Sequence, residues 1–227
     1  MKLFSEHEIY DTYNRFIIKD ARYFNRFINY KDHLSEAELA DYKGFDVPRV
    51  MSVIDYKEWI KKHNIETGDN LLSTCSTDLE LRYIQYNNTT TASYPPHDLH
   101  TLDLDNKQFD FIIFNQTLEH LYNPFVAIYK LYEHLKDGGY IYTTVPTINI
   151  PHMTPIHFWG ITPIGLCMLF KTFNLNIIEC GYWGNCEYIN YIFENNDWPG
   201  YQELLNRSNT LEHNNVCQAQ TWILAKK

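Results

Sequence analysis

Residues 109–114 read FDFIIF, an apolar run interrupted by one acid, and the run stops at Asn115. A strand that is apolar on both faces has to be covered on both, as in the middle of a parallel sheet with helices on either side. Polar groups follow at once: Asn115, Gln116, Glu119 and His120, then Asn123-Pro124, a helix start with proline in the first turn. Ligands of such sheets gather beyond the carboxyl ends of the strands, so residues 115–120 are expected to form one wall of a small-molecule site.

The rest of the chain is consistent with that strand. From Asn70 onward, short apolar runs alternate with helical stretches, the signature of repeated βαβ units. Strands are expected at LLSTC (71–75), weakly at TTTAS (89–93), and at FDFIIF, YIYTTVP (140–146), LNIIECGYW (175–183) and QTWILAK (220–226). Helices are expected over DLELRYIQY, from Pro124 to a close at Gly138-Gly139, and from Thr162-Pro163. Upstream, Ile9, Tyr13, Phe16, Ile17, Phe24, Phe27 and Ile28 share one helical face. Ser35 and Glu38 form a capping-box pattern that Gly44 ends, and Asp55 with Glu58 repeats it. The expected architecture is α/β: a Rossmann-like, doubly wound, mostly parallel sheet flanked by helices. Residues 1–68 are assigned to an N-terminal helical cap over the acceptor side and 69–227 to the sheet domain, packed as one unit.

A formal charge of -9 with no run of Lys or Arg argues against a nucleic-acid partner. Five cysteines without close metal-like spacing read as reduced thiols of an intracellular protein. The N-terminus has acids where a signal peptide has an apolar core, and no apolar stretch reaches membrane-spanning length. The expectation is a cytoplasmic protein with a small-molecule substrate and no membrane partner.

Residues 98–146, DLHTLDLDNKQFDFIIFNQTLEHLYNPFVAIYKLYEHLKDGGYIYTTVP, resemble the second half of a class I S-adenosylmethionine-dependent methyltransferase of the small-molecule type. The pieces occur in the family's order: an acid before a short loop, FD opening a strand, LEH after it, a proline-started helix, then LK-x-GG before the next strand. Downstream, TPIHFWGITPIGLCMLFKTFNLNIIECGYWGN is similar to a subgroup with a histidine-bearing loop and a closing WGN. The resemblance spans roughly residues 70–225. It implies S-adenosylmethionine as cofactor, with Asp98 and Leu99 beside the adenine, Asn115 and Gln116 at the ligand edge, and Ser73, Thr74, Cys75 and Ser76 under the amino-acid end. Methyl transfer to a small polar metabolite, a sugar or sugar-linked intermediate, then follows. A hydroxyl acceptor has to lose a proton, and His120, His152 and His157 are the candidate bases. Glu119 and Trp159 are candidate acceptor contacts.

The turn Ser73–Asp78 contains no glycine where the family places several, and Ser93 stands where an acid usually holds the ribose, with Asp78 or Glu80 as substitutes. Two other readings therefore fit: a retired methyltransferase fold serving as a binding subunit, and an enzyme on this scaffold using another nucleotide ligand. Glu119-His120 equally suits a capped turn, and aromatics such as Trp159, Tyr182 and Trp183 are more often core than acceptor contacts. Nothing in the sequence fixes three donors in one place, so no metal is assigned.

Overall fold

A computed structural model describes residues 2–18, 34–74, 79–152, 156–208, 211, 213 and 217–227. The expected helical positions Phe24, Phe27 and Ile28 and the ligand candidates Cys75 and Ser76 lie outside the described residues.

Six strands form one sheet: β1 (Thr67–Ser73), β2 (Gln85–Thr91), β3 (Phe109–Asn115), β4 (Leu135–Pro146), β5 (Asn176–Trp183) and β6 (Gln220–Lys226). Their order is β2-β1-β3-β4-β6-β5. β1, β2, β3 and β4 run parallel, and β6 enters antiparallel between β4 and β5. The sheet is thus mostly parallel, and its winding reverses between β1 and β3, the place where ligands of doubly wound sheets bind.

Alternate side chains sort the core into two layers. Leu71, Phe111, Ile113, Tyr142, Trp222 and Leu224 pack under α3 (Val47–Lys62), α6 (Cys186–Asn195) and α7 (Tyr201–Ser208). Leu72, Ile112, Phe114, Ile141, Val145 and Ile223 pack under α4 (Pro124–His134) and α5 (Pro163–Lys171). Each such side chain contributes about 1.5–3 kcal/mol relative to an exposed one. Tyr182 and Trp183 are buried here, so they are core residues rather than acceptor contacts.

Local signals set most helix starts. Ser35 and Glu38 close a reciprocal capping box on α2 (Glu36–Asp41), and Ser5 with Glu8 does the same for α1 (Glu6–Tyr13). Asn123 caps α4 through Val126 N–H, and Thr162 caps α5 through Gly165 N–H, each with proline in the first turn. α1 runs into a π-helix, Asn14–Ile18. This segment packs on α5 and β5: Lys171 Nζ donates to Thr12 Oγ1 at 2.7 Å, and Tyr182 OH donates to the Ile17 carbonyl at 3.1 Å.

Four sequence expectations are corrected. Asp55 caps no helix; it lies inside α3, fully buried, where its Oδ2 accepts the Trp222 indole N–H at 2.8 Å. α3 starts at Val47 and forms a layer of the main fold. Gly138-Gly139 does not close α4, which ends at His134; the pair lies in β4, where its register with β3 shifts, and Gly138 has φ 80°. β1 begins at Thr67, and β2 covers Gln85–Thr91 rather than residues 89–93, because a polar edge strand carries no apolar run to mark it.

Cys167 and Cys180 are buried, and among the described residues no disulfide joins Cys167, Cys180, Cys186 or Cys217. Among the described residues, no helix is long and apolar enough to cross a membrane.

Candidate active site

The reversal between β1 and β3 brings Ser73 and Thr74 beside Asn115. Thr74 N–H donates to the Ile113 carbonyl at 3.1 Å, prolonging the β1–β3 pairing by one residue. All three side chains are buried, and Thr74 Oγ1 and both amide atoms of Asn115 lack hydrogen-bond partners among the described residues. An unpartnered buried polar group costs about 1–3 kcal/mol, so a site that keeps such atoms at two adjacent strand ends is suited to a ligand that completes them. S-adenosylmethionine, whose amino-acid end has both ammonium donors and carboxylate acceptors, fits this donor and acceptor set. Gln116 follows with φ 46°, a left-handed turn that ends the strand, and its Nε2 donates to Thr144 Oγ1 at 3.0 Å.

Asp98 and Leu99 lie in the loop between β2 and β3. Leu99 is buried in the second core layer. Asp98 Oδ1 accepts from the backbone N–H of His100 at 2.9 Å and meets its Nδ1 at 2.7 Å. The backbone bond is the main cause holding the Asp98 carboxyl below the usual range. His100 Nε2 accepts the Asn123 N–H at 3.3 Å, which leaves the proton on Nδ1, and the ring stacks on Tyr122 at 4.0 Å between centroids. His100 was not anticipated; its position two residues after Asp98 was the available signal. Glu80, considered as a ribose acid, is buried and pairs with Arg49 at 3.3 Å. Asp78 lies outside the described residues.

Beyond Gln116 a short 3₁₀ turn, Leu118–His120, presents the carboxyl-histidine pair. Burial raises the Glu119 acid to about 8, and its Oε2 has no hydrogen-bond partner. His120 Nδ1 donates to the Ile156 carbonyl at 3.0 Å, leaving Nε2 with its lone pair, 3.8 Å from Glu119 Oε1. Burial, with His152 and His157 nearby, lowers the pKa of His120, and burial also lowers that of His157. The three imidazoles cluster: His120 is 5.2 Å from His152 and 6.4 Å from His157, which stack on each other at 5.0 Å. Among the described residues, no three His, Cys, Asp or Glu are arranged to hold a metal ion.

The loop bearing His152 and His157 is tied to the Leu118–His120 turn. Phe158 N–H donates to the Glu119 carbonyl at 2.7 Å, and Trp159 Nε1 donates to the Leu121 carbonyl at 2.8 Å. Trp159 is thereby placed as a brace for the turn, with its ring partly exposed.

In front of Glu119 and His120 opens a cavity of about 460 Å³, which Gln116 and His152 also line. Its far wall comes from elements that sequence reasoning did not connect with the site: Asp46 and Arg49 at the start of α3, Tyr188 on α6, and Trp198 in the turn before α7. Asp46 accepts the Tyr188 hydroxyl at 2.9 Å, and burial raises its acid to about 7. No local motif marks these residues, because only the tertiary fold brings them to β3 and β4.

A family model described as a methyltransferase domain matches residues 29–179. No curated protein matches the sequence. The fold is similar to Burkholderia thailandensis 1,6-didemethyltoxoflavin-N1-methyltransferase, solved with 1,6-didemethyltoxoflavin and S-adenosylhomocysteine, at a TM-score of 0.51 and 10% identity over 100% of this chain and 92% of that one. It is also similar to the N-methyltransferase NodS from Bradyrhizobium japonicum WM9 with S-adenosylhomocysteine, at a TM-score of 0.50 and 10% identity over 92% of this chain and 99% of that one. With well over half of its length inside that family model, and a Rossmann-like sheet to match, the chain belongs to the class I S-adenosylmethionine-dependent methyltransferases.

Proposed function

We propose that this enzyme methylates a small polar metabolite, of the sugar or sugar-linked class, bound in the cavity beside His120. The observation that carries the reading is the adjacency of two features. Unpartnered polar atoms of Thr74 and Asn115 lie at the ends of β1 and β3, and a cavity opens beyond β3 and β4 at Gln116, Glu119 and His120. S-adenosylmethionine supplies an electrophilic methyl on a sulfonium. In this reading Ser73, Thr74, Cys75, Ser76, Asn115 and Gln116 hold its amino-acid end, with Asp98 and Leu99 at the adenine.

His120 serves as the base or orienter for the acceptor. The Ile156 carbonyl holds its Nδ1 proton, so Nε2 is the nitrogen able to take a proton, and burial favours the neutral ring that does so. His152 and His157 exclude water around it, and Trp159 braces the turn. Amide, carboxyl and indole groups along the cavity support a polar ring as acceptor. The formal charge of -9 supports a small molecule over nucleic acid.

Isothermal titration with S-adenosylmethionine and S-adenosylhomocysteine tests the reading. Micromolar binding of both supports a working cofactor site despite the glycine-free turn. Absence of binding in folded protein overturns it in favour of a retired fold.

A further inference from the structure

We infer that the acceptor binds through an amine, its ammonium group held by Asp46 and Glu119, which line the same cavity. The inference rests on the cavity being the acceptor pocket, and it specifies the chemistry of the group that enters it.

The first argument is the inventory of charge. Three carboxyls line the cavity, Asp46, Glu119 and Asp197, against one cation, Arg49. That cation is shared: Arg49 Nη2 lies 3.3 Å from Glu80 Oε2, and its charge also acts on Asp46 and Glu119. His120 and His152 complete the titratable groups on the walls, together with the Tyr188 phenol. A phosphate or carboxylate entering here meets more acids than one arginine offsets, whereas an ammonium supplies the charge the excess acids lack.

The second argument is Glu119 itself. The residue is 2% exposed, it lines the cavity, and among the described residues its Oε2 has no hydrogen-bond partner. Arg49 acts on both Glu119 and Asp46, yet burial outweighs it and raises both acids, so a further cation between them would favour their carboxylate forms. The third argument is the aromatic wall. Trp198 is locked by its Nε1 bond to Asn149 Oδ1 at 2.7 Å and stands edge-on to His152 at 5.7 Å, while Tyr188 lies beside Asp46. Indole and phenol faces attract an ammonium and bring no charge of their own.

The arrangement also suggests how the nitrogen becomes nucleophilic. Binding of the ammonium releases the proton of the Glu119 acid to solvent, leaving a carboxylate beside it. One N–H proton of the ammonium then passes to the Nε2 lone pair of neutral His120, the N–H bond pair remains on nitrogen as a lone pair, and the imidazolium formed lies 3.8 Å from Glu119 Oε1. Charge balances, since the positive charge moves from the amine nitrogen to the imidazole ring.

Three ring compounds of one size, differing only in head group, test the inference: cyclohexylammonium, cyclohexanol and cyclohexanecarboxylate, each titrated into the full chain with and without S-adenosylhomocysteine. The ammonium is expected to bind at least tenfold more tightly than the alcohol, and the carboxylate not at all. Asp46→Asn and Glu119→Gln, both close in shape to the parent residues, should each reduce that preference several-fold. Equal binding of amine and alcohol, no binding of the amine at tens of millimolar, binding of the carboxylate, or a preference that survives both substitutions overturns the inference. The S-adenosylhomocysteine titration stands apart, so failure of the methyl-transfer reading is distinguished from failure of the amine assignment.

Discussion

His120 and Ile156 are joined by a 3.0 Å hydrogen bond from imidazole Nδ1 to a backbone carbonyl, and that single bond decides which nitrogen of this cavity-lining histidine keeps its lone pair. Replacing His120 by Ala should lower kcat by about 10²–10⁴-fold, the usual contribution of a positioned base. Titration with S-adenosylhomocysteine should show an unchanged Kd, because the ring belongs to the acceptor side. Since the pKa of His120 lies below its ordinary value of 6.5, the acid limb of kcat/KM should fall below pH 6.5 in the parent and vanish in the variant. A limb at the same pH in both proteins would assign it to another group.

Asn115 offers the reverse test, separating ligand binding from stability. Both of its amide atoms are buried and unpartnered, so Asn115→Leu removes a desolvation cost while breaking no internal bond. Thermal melts should show a Tm equal to or above that of the parent, while the Kd for S-adenosylhomocysteine rises by about tenfold or more, the effect of losing one to two hydrogen bonds. A lowered Tm with unchanged Kd would make Asn115 a structural residue.

Stability toward acid depends in part on Glu38. Burial alone would raise its pKa, but Lys57, the backbone N–H and hydroxyl of Ser35, and the Tyr83 hydroxyl together bring it down to about 2. A carboxylate with a lowered folded pKa contributes stability that is fully present above its unfolded value of 4.5, and that contribution is lost as pH falls toward 2. Glu38→Gln should therefore destabilise by about 1–2 kcal/mol at pH 7 and by little near pH 2, as read from urea midpoints.

Gly181 faces Trp222 across β5 and β6, and a Cβ built there lies 2.2 Å from Trp222 Nε1 and 2.6 Å from Asp55 Oδ2. Gly181→Ala should cost about 1–3 kcal/mol or more, because overpacking also pries apart a buried hydrogen bond. A variant melting with the parent would mean that the indole moves aside freely.

Several of these elements could be read from neighbouring letters alone. Ser35 with Glu38, Asn123 with Pro124, and Thr162 with Pro163 are local chemistries that act over three residues, and the structure has each of them. FDFIIF is a strand because both of its faces meet core. The same local pattern misleads at Asp55 and Glu58, where a bond to an indole far along the chain outweighs the capping signal. The near wall of the site was legible because Glu119 and His120 follow directly on a strand end. Asp46, Arg49, Tyr188 and Trp198 were not, since their meeting depends on how α3 and α6 dock on the sheet.

The position of β6 has a consequence for the growing polypeptide. Among the described residues β5 pairs with β6 alone, so Asn176–Trp183 waits for its partner until residues 220–226 have left the ribosome and slotted in beside β4. Until then two strand edges stand open and the core lacks Trp222, Ile223 and Leu224. During synthesis this is the interval in which the chain is most exposed to aggregation and in greatest need of a chaperone.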